Sequence, residues 1–131
     1  MTIEVTSGAM ATLLAEAAQA APMECCGLLL GRGGKVEEAR PAANISADRL
    51  RYFEIDPVAL FAAHRAERSG GPAVLGYYHS HPGGHPLPSA TDCAHASGDN
   101  LVWAIIAGDE VTCWRDGPMG FAALPYAVVA G

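Results

Sequence analysis

Apolar positions recur along this chain with two periods, and the places where one gives way to the other mark the elements. Thr2–Thr6 alternates apolar and polar residues and is rich in β-branched ones, which predicts a short strand. Ser7 offers an N-cap, and Met10, Leu13, Leu14 and Ala17 then fall at helical spacing over Ala9–Ala21, with Glu16 and Gln19 on the outer side and Pro22 as the stop. Cys25–Leu30 is apolar without alternation, so it reads as a strand buried on both faces; the Gly33-Gly34 turn returns it through Lys35–Arg40 as a hairpin. Pro41–Arg51 is irregular and holds a turn-like Asn44, and Tyr52–Ile55 reads as a further short strand.

Asp56-Pro57 supplies the N-cap and first residue of a second helix, which runs through Leu60, Phe61 and His64 to Ser69-Gly70-Gly71. Ala73–His79 is a buried strand, and Pro82–Pro88 is a stiff loop because its three prolines and two glycines exclude regular structure. Ser89 or Thr91 caps a short helix through Ser97, ended by Gly98-Asp99-Asn100. Leu101–Ala107, Val111–Arg115 and Phe121–Val129 complete the chain as strands, with turns at Gly108-Asp109 and Asp116-Gly117. Crossovers and hairpins are mixed in this order, which predicts an α/β fold: a mixed sheet with helices on both faces, a three-layer αβα arrangement.

The chain has 131 residues, half of them hydrophobic, which is the size and content of one domain spanning 1–131 and excludes a disordered chain. Eight basic against fourteen acidic residues give a net charge of −6, which opposes a phosphate backbone and argues against nucleic acid and anionic membranes as partners. No apolar run is long enough to cross a bilayer and the first residues do not form a signal peptide, so a cytoplasmic location is expected. The four cysteines, Cys25, Cys26, Cys93 and Cys113, lack C-x-x-C spacing, which disfavours both structural zinc and a disulfide framework.

The chemistry concentrates in Gly76-Tyr77-Tyr78-His79-Ser80-His81-Pro82 and Pro88-Ser89-Ala90-Thr91-Asp92. At a strand end, residues two apart project to one side, so His79 and His81 present both imidazoles to one point. The rigid loop then returns Asp92 as a third ligand. Two histidines and a carboxylate with an open fourth position are the donor set of a catalytic zinc site, the open position holding water. Such water is acidic near neutral pH but still needs a base. Glu24, a carboxylate at the mouth of an apolar strand, suits that role, and Ser89, one helical turn before Asp92, places a hydroxyl where a tetrahedral oxyanion would form.

Glu24, His79-Ser80-His81-Pro82, Ser89 and Asp92 together resemble the signature of the JAMM/MPN+ zinc metalloprotease family, with seven residues before the serine and two before the aspartate. The likeness extends over nearly the whole chain, since the Pro22–Gly31 segment, Asn44 and Phe53–Pro57 also resemble the short bacterial branch. The resemblance implies a cytidine-deaminase-like JAB/MPN domain with a mostly antiparallel sheet. It implies Zn2+ on His79, His81 and Asp92, Glu24 as general acid and base, and Ser89 as oxyanion support. It further implies hydrolysis of an amide or isopeptide bond after the C-terminal Gly-Gly of a ubiquitin-like or sulfur-carrier protein. A tail without side chains suits a narrow cleft.

Plainer readings stand beside these. The two histidines can be ordinary strand-end residues and Asp92 a helix cap, and Glu24 alone reads as a solvated strand start. His95, three residues after Asp92, can compete as a ligand or support the site from behind; His85 can touch substrate or simply face solvent; His64 belongs on the surface. Cys25 and Cys26 lie beside Glu24 as possible thiol nucleophiles, although an apolar strand favours packing. Zinc deaminases share the layer architecture but need His-x-Glu and Pro-Cys-x-x-Cys, which are absent. A non-catalytic MPN-type scaffold that docks a partner is the alternative from another class, and a homodimer fits a small domain with an open sheet edge.

Overall fold

A computed structural model describes residues 2–131. Eight strands form one sheet: β1 Ile3–Thr6, β2 Cys26–Arg32, β3 Lys35–Ala42, β4 Ala73–Ser80, β5 Val102–Ala107, β6 Glu110–Gly117, β7 Gly120–Ala123 and β8 Tyr126–Val129. Three helices accompany them: α1 Ser7–Ala20, α2 Pro57–Arg68 and α3 Ala90–His95. The strand order is β7-β6-β5-β4-β2-β3-β1-β8. The β2/β3, β2/β4, β5/β6 and β6/β7 pairs are antiparallel, and β1/β3, β1/β8 and β4/β5 are parallel, so the sheet is mixed and mostly antiparallel as expected.

Side-chain alternation divides the core between the two faces of this sheet. Leu29 of β2 and Tyr78 of β4 pack with Ala9, Leu13 and Ala17 of α1, whereas Leu28 and Leu30 point the other way and pack with Val74 and Ala63 of α2. That explains why β2 is apolar from Cys26 to Gly31, before the exposed Arg32: both of its faces meet a helix. At Gly76 the β4 and β5 backbones lie so close that a β-carbon would collide with the Val102 carbonyl oxygen. This glycine lets the strand that carries His79 lie flush against its parallel neighbour.

Helix boundaries follow their caps. Thr6, rather than Ser7, caps α1, its hydroxyl accepting from Ala9 N at 3.1 Å, while Ser7 is already helical and donates to the Gly131 carbonyl. Asp56 caps α2 through Val58 N, with Pro57 in the first turn. Ser89 caps α3, which ends at His95 instead of continuing to Ser97. The reason lies in Asp116, buried to 1 % exposure, whose carboxylate accepts from Ser97 N and Gly98 N and draws that stretch away from the helix.

Three strand expectations change. Tyr52–Ile55 forms only an isolated bridge, Asn44 to Ile55, because the Asn44 side chain takes up the neighbouring backbone groups. Asp116-Gly117 is not a turn but the end of β6, with Gly117 paired to Gly120. Phe121–Val129 is two strands at opposite edges of the sheet, joined only by Leu124 and Pro125. Two residues span only about 10 Å, so the sheet must curl until its edges approach. It curls around α1: Leu124 joins the α1 core, its N–H donates to Cys113 O at 2.9 Å, and Tyr126 donates its hydroxyl to Val111 O at 2.6 Å. Among the described residues, no helix is long and apolar enough to cross a membrane.

Candidate metal centre

The β2/β4 ladder places the acidic and imidazole groups together. Cys26 pairs with His79, and Ser80 N donates to Cys25 O, so one step further along the ladder Glu24 comes opposite His81. Ser80 reinforces this junction by accepting from Cys25 N on its hydroxyl at 2.9 Å. Alternation then puts Glu24, His79 and His81 on one face of the sheet and Cys25 and Ser80 on the other.

His79, His81 and Asp92 converge. His79 Nε2 lies 3.0 Å from His81 Nε2 and 3.1 Å from Asp92 Oδ1 and Oδ2, and His81 Nε2 lies 3.2 Å from Asp92 Oδ2. Asp92 is held by the α3 cap: Ser89 N donates to Asp92 Oδ2 at 2.9 Å and Asp92 N donates to Ser89 Oγ at 3.0 Å. The Ser89 hydroxyl is used there only as an acceptor, which leaves its own proton free to donate. Among the described residues this trio is the one cluster whose donor atoms are arranged to hold a metal ion.

Each imidazole is oriented by a different device. His81 Nδ1 lies 2.8 Å from the His85 carbonyl oxygen, which can only accept. Nδ1 therefore carries the proton and, in the neutral ring, Nε2 presents its lone pair to the cluster. His79 is fully buried and its Nδ1 has no hydrogen-bond partner. Its ring is instead stacked on Phe53, with centroids 4.2 Å apart at 16°, and meets the edge of Trp103 at 5.7 Å. Two ring nitrogens and a carboxylate aimed at one point, with one tautomer fixed from behind, suit a divalent cation that accepts nitrogen and oxygen donors.

The electrostatics follow from burial and this convergence. Burial lowers the His79 pKa. For His81 burial pulls the same way, but its bonds to Asp92 and the His85 carbonyl outweigh it and the pKa is raised. Burial alone would raise Asp92, yet bonds from both histidines hold it well below the usual carboxylate range. Glu24 is 9 % exposed, and burial pushes its carboxyl up to about 7; His81 opposes that rise, while Asp92 and Asp48 add to it. Cys25 and Cys26 are buried thiols with raised pKa values, Cys26 up to about 12, which makes them packing groups and not nucleophiles.

A stability consequence follows for Glu24. The folded protein holds this proton more tightly than the unfolded chain, so a penalty for ionising the buried carboxyl grows as pH rises from about 4.5 to about 7 and is complete above that. Metal-free Glu24→Gln is expected to match wild type near pH 4 and to melt several degrees higher at pH 8, a gain on the order of 1–3 kcal/mol. Thermal melts in chelator at the two pH values measure this; equal shifts at both would mean the side chain is not desolvated.

Of the remaining histidines, His95 is exposed and outside the cluster, His85 is exposed and contributes its carbonyl, and His64 lies on α2 with its ring 3.7 Å from Glu67. Nothing in the sequence pattern marked Phe53, Trp103 or the His85 carbonyl as supports of the imidazoles: the Phe53 contact arises between distant segments, Trp103 meets His79 from the neighbouring strand, and the His85 contact is made by backbone, which carries no residue signature.

A family profile described as prokaryotic homologs of the JAB domain matches residues 6–117. Desampylase of Haloferax volcanii is 38 % identical over 90 residues, covering 67 % of this chain and 65 % of that protein. A probable TtuB-protein conjugate cleaving protease of Thermus thermophilus is 35 % identical over 96 residues, 73 % of this chain and 64 % of that one. The chain thus spans just under two thirds of the length of these curated relatives. A solved protein of Desulfitobacterium hafniense superposes with a TM-score of 0.87 at 31 % identity, covering 99 % of this chain and 94 % of that one.

Proposed function

The chain belongs to the family of prokaryotic homologs of the JAB domain, and from that premise we propose that residues 1–131 act as one metallopeptidase domain. It would hydrolyse the amide or isopeptide bond that follows the C-terminal Gly-Gly of a ubiquitin-like or sulfur-carrier protein. The observation that carries this reading is the convergence of His79, His81 and Asp92 beside a buried Glu24 whose carboxyl is poised near neutrality. The relatives' names, desampylase and TtuB-protein conjugate cleaving protease, support a conjugated protein as the substrate class.

His79, His81 and Asp92 would hold one divalent ion, with zinc favoured by the donor set. When bound, it supplies Lewis-acid polarisation and makes water acidic enough to attack near pH 7. Glu24 takes the proton from the attacking water as its oxygen adds to the amide carbonyl carbon. The same carboxyl then delivers the proton to the amide nitrogen as the C–N bond breaks, so acid and base are one residue. Ser89 donates its free hydroxyl proton to the oxyanion of the tetrahedral intermediate. The His85 carbonyl keeps the His81 ring in the tautomer that binds.

The test is a carrier protein extended beyond Gly-Gly by one residue or by a lysine-linked peptide, incubated with the protein and followed by intact mass. The expected product is the carrier ending in Gly-Gly, formed with zinc, suppressed by chelator and restored by added zinc. Cleavage unaffected by chelation, or none by the zinc-loaded protein, would overturn the reading.

A further inference from the structure

Glu24 lies just before β2, where a chain would ordinarily fray, and the His79 Nδ1 has no hydrogen bond to fix the ring from behind. Both problems are met by one segment, residues 44–54. Glu24 N donates to the Arg49 carbonyl at 2.8 Å, and the Glu24 carbonyl accepts from Asn44 Nδ2 at 2.9 Å, so both backbone polar groups of Glu24 are pinned. Asn44 Nδ2 also donates to the Tyr52 carbonyl at 3.1 Å, while Asn44 Oδ1 accepts from Ser46 N at 3.0 Å and Glu54 N at 3.1 Å. Two amide protons and two lone pairs are thus all used, each on backbone, which fixes the amide in one orientation.

Tyr52 and Glu54, both held by this one side chain, flank Phe53, and Phe53 is the ring stacked on His79. The backbone around it is closed by Ile45 N donating to Glu54 O at 2.9 Å and Asp56 N donating to Ala43 O at 3.1 Å. We propose that Asn44 is a positioning residue: its amide ties the backbone of Glu24 to the two residues around Phe53, so that the Glu24 carboxylate and the His79 ring are set by a single clamp. The proposal rests on the roles given to Glu24 and His79 above. Misplacing a reacting group by about 1 Å can cost on the order of 100-fold in rate, so a clamp of this kind acts on turnover.

Asn44→Asp keeps the shape and the two accepted bonds but replaces the donor to Glu24 and Tyr52 with an oxygen that repels both carbonyls. With the proposed substrate it is expected to lower kcat by about 10–100-fold at unchanged KM, with the melting temperature still well above the assay temperature. Phe53→Leu should lower kcat likewise and Phe53→Tyr should restore it. A second readout does not depend on turnover: the ring 15N and 1H signals of His79 in the metal-free protein should move in Asn44→Asp and Phe53→Leu and return in Phe53→Tyr, while those of His64 stay in place. If the His79 signals move but wild type cleaves nothing, the clamp stands and the hydrolytic reading falls. Full kcat and unmoved His79 signals in a folded Asn44→Asp protein would overturn the proposal, as would a lowered melting temperature with both readouts unchanged.

Discussion

Glu24→Gln is expected to keep the fold and one bound metal ion and to lose about 10²–10⁴-fold in kcat, the range commonly attached to a single general acid-base group. Gln has nearly the shape of Glu and can occupy the same pocket, but it cannot accept the proton of the attacking water or return it to the leaving amine. Steady-state kinetics beside metal analysis of the same sample decide the matter. A variant that retains turnover would remove Glu24 from the mechanism, and one that has shed its metal would make Glu24 a ligand rather than a base. Paired with the higher melting temperature expected at pH 8, that loss would mark a position where stability is given up for function.

His79→Ala is expected to abolish activity and to weaken metal binding by more than about 100-fold, since even residues behind a ligand commonly account for 10–100-fold. The effect on the fold separates the two histidines. His79 is fully buried, stacked on Phe53 and edge-on to Trp103, so truncation also leaves a cavity and should cost about 2–4 kcal/mol. His81 keeps a side-chain exposure of 14 %, and His81→Ala should lose metal with a smaller loss of stability. Metal titrations with a competing chelator and denaturant midpoints, run on both variants, measure the two quantities independently. Wild-type affinity in either variant would remove that histidine from the ligand set.

What the sequence made legible follows from how local each signal is. His79 and His81 are two residues apart on a strand, and Ser89 and Asp92 are three apart at a helix start, so their geometry is carried by backbone period and capping chemistry within a few residues. The layer order was legible for the same reason: β2 is apolar at successive positions because helices cover both faces.

The contacts that remained hidden are made across the fold or by backbone. Phe53 reaches His79 over 26 positions, the His85 carbonyl acts through backbone, and the Asn44 amide bonds a residue 20 positions away. Phe121–Val129 gave one continuous strand signal because alternation is blind to which edge a strand joins; Pro125, which lacks an N–H, is the local mark of the break. Tyr52–Ile55 has strand composition, but the Asn44 side chain takes its Tyr52 carbonyl and Glu54 N–H, leaving only an isolated bridge.

Native mass spectrometry of the purified protein, beside His79→Ala, tests the claim on which every catalytic step depends. One divalent ion per wild-type chain is expected, with zinc preferred when several metals are offered, and none on the variant. A folded wild type that carries no metal and takes up none when zinc is added would contradict it, leaving His79, His81 and Asp92 as a buried hydrogen-bonded cluster.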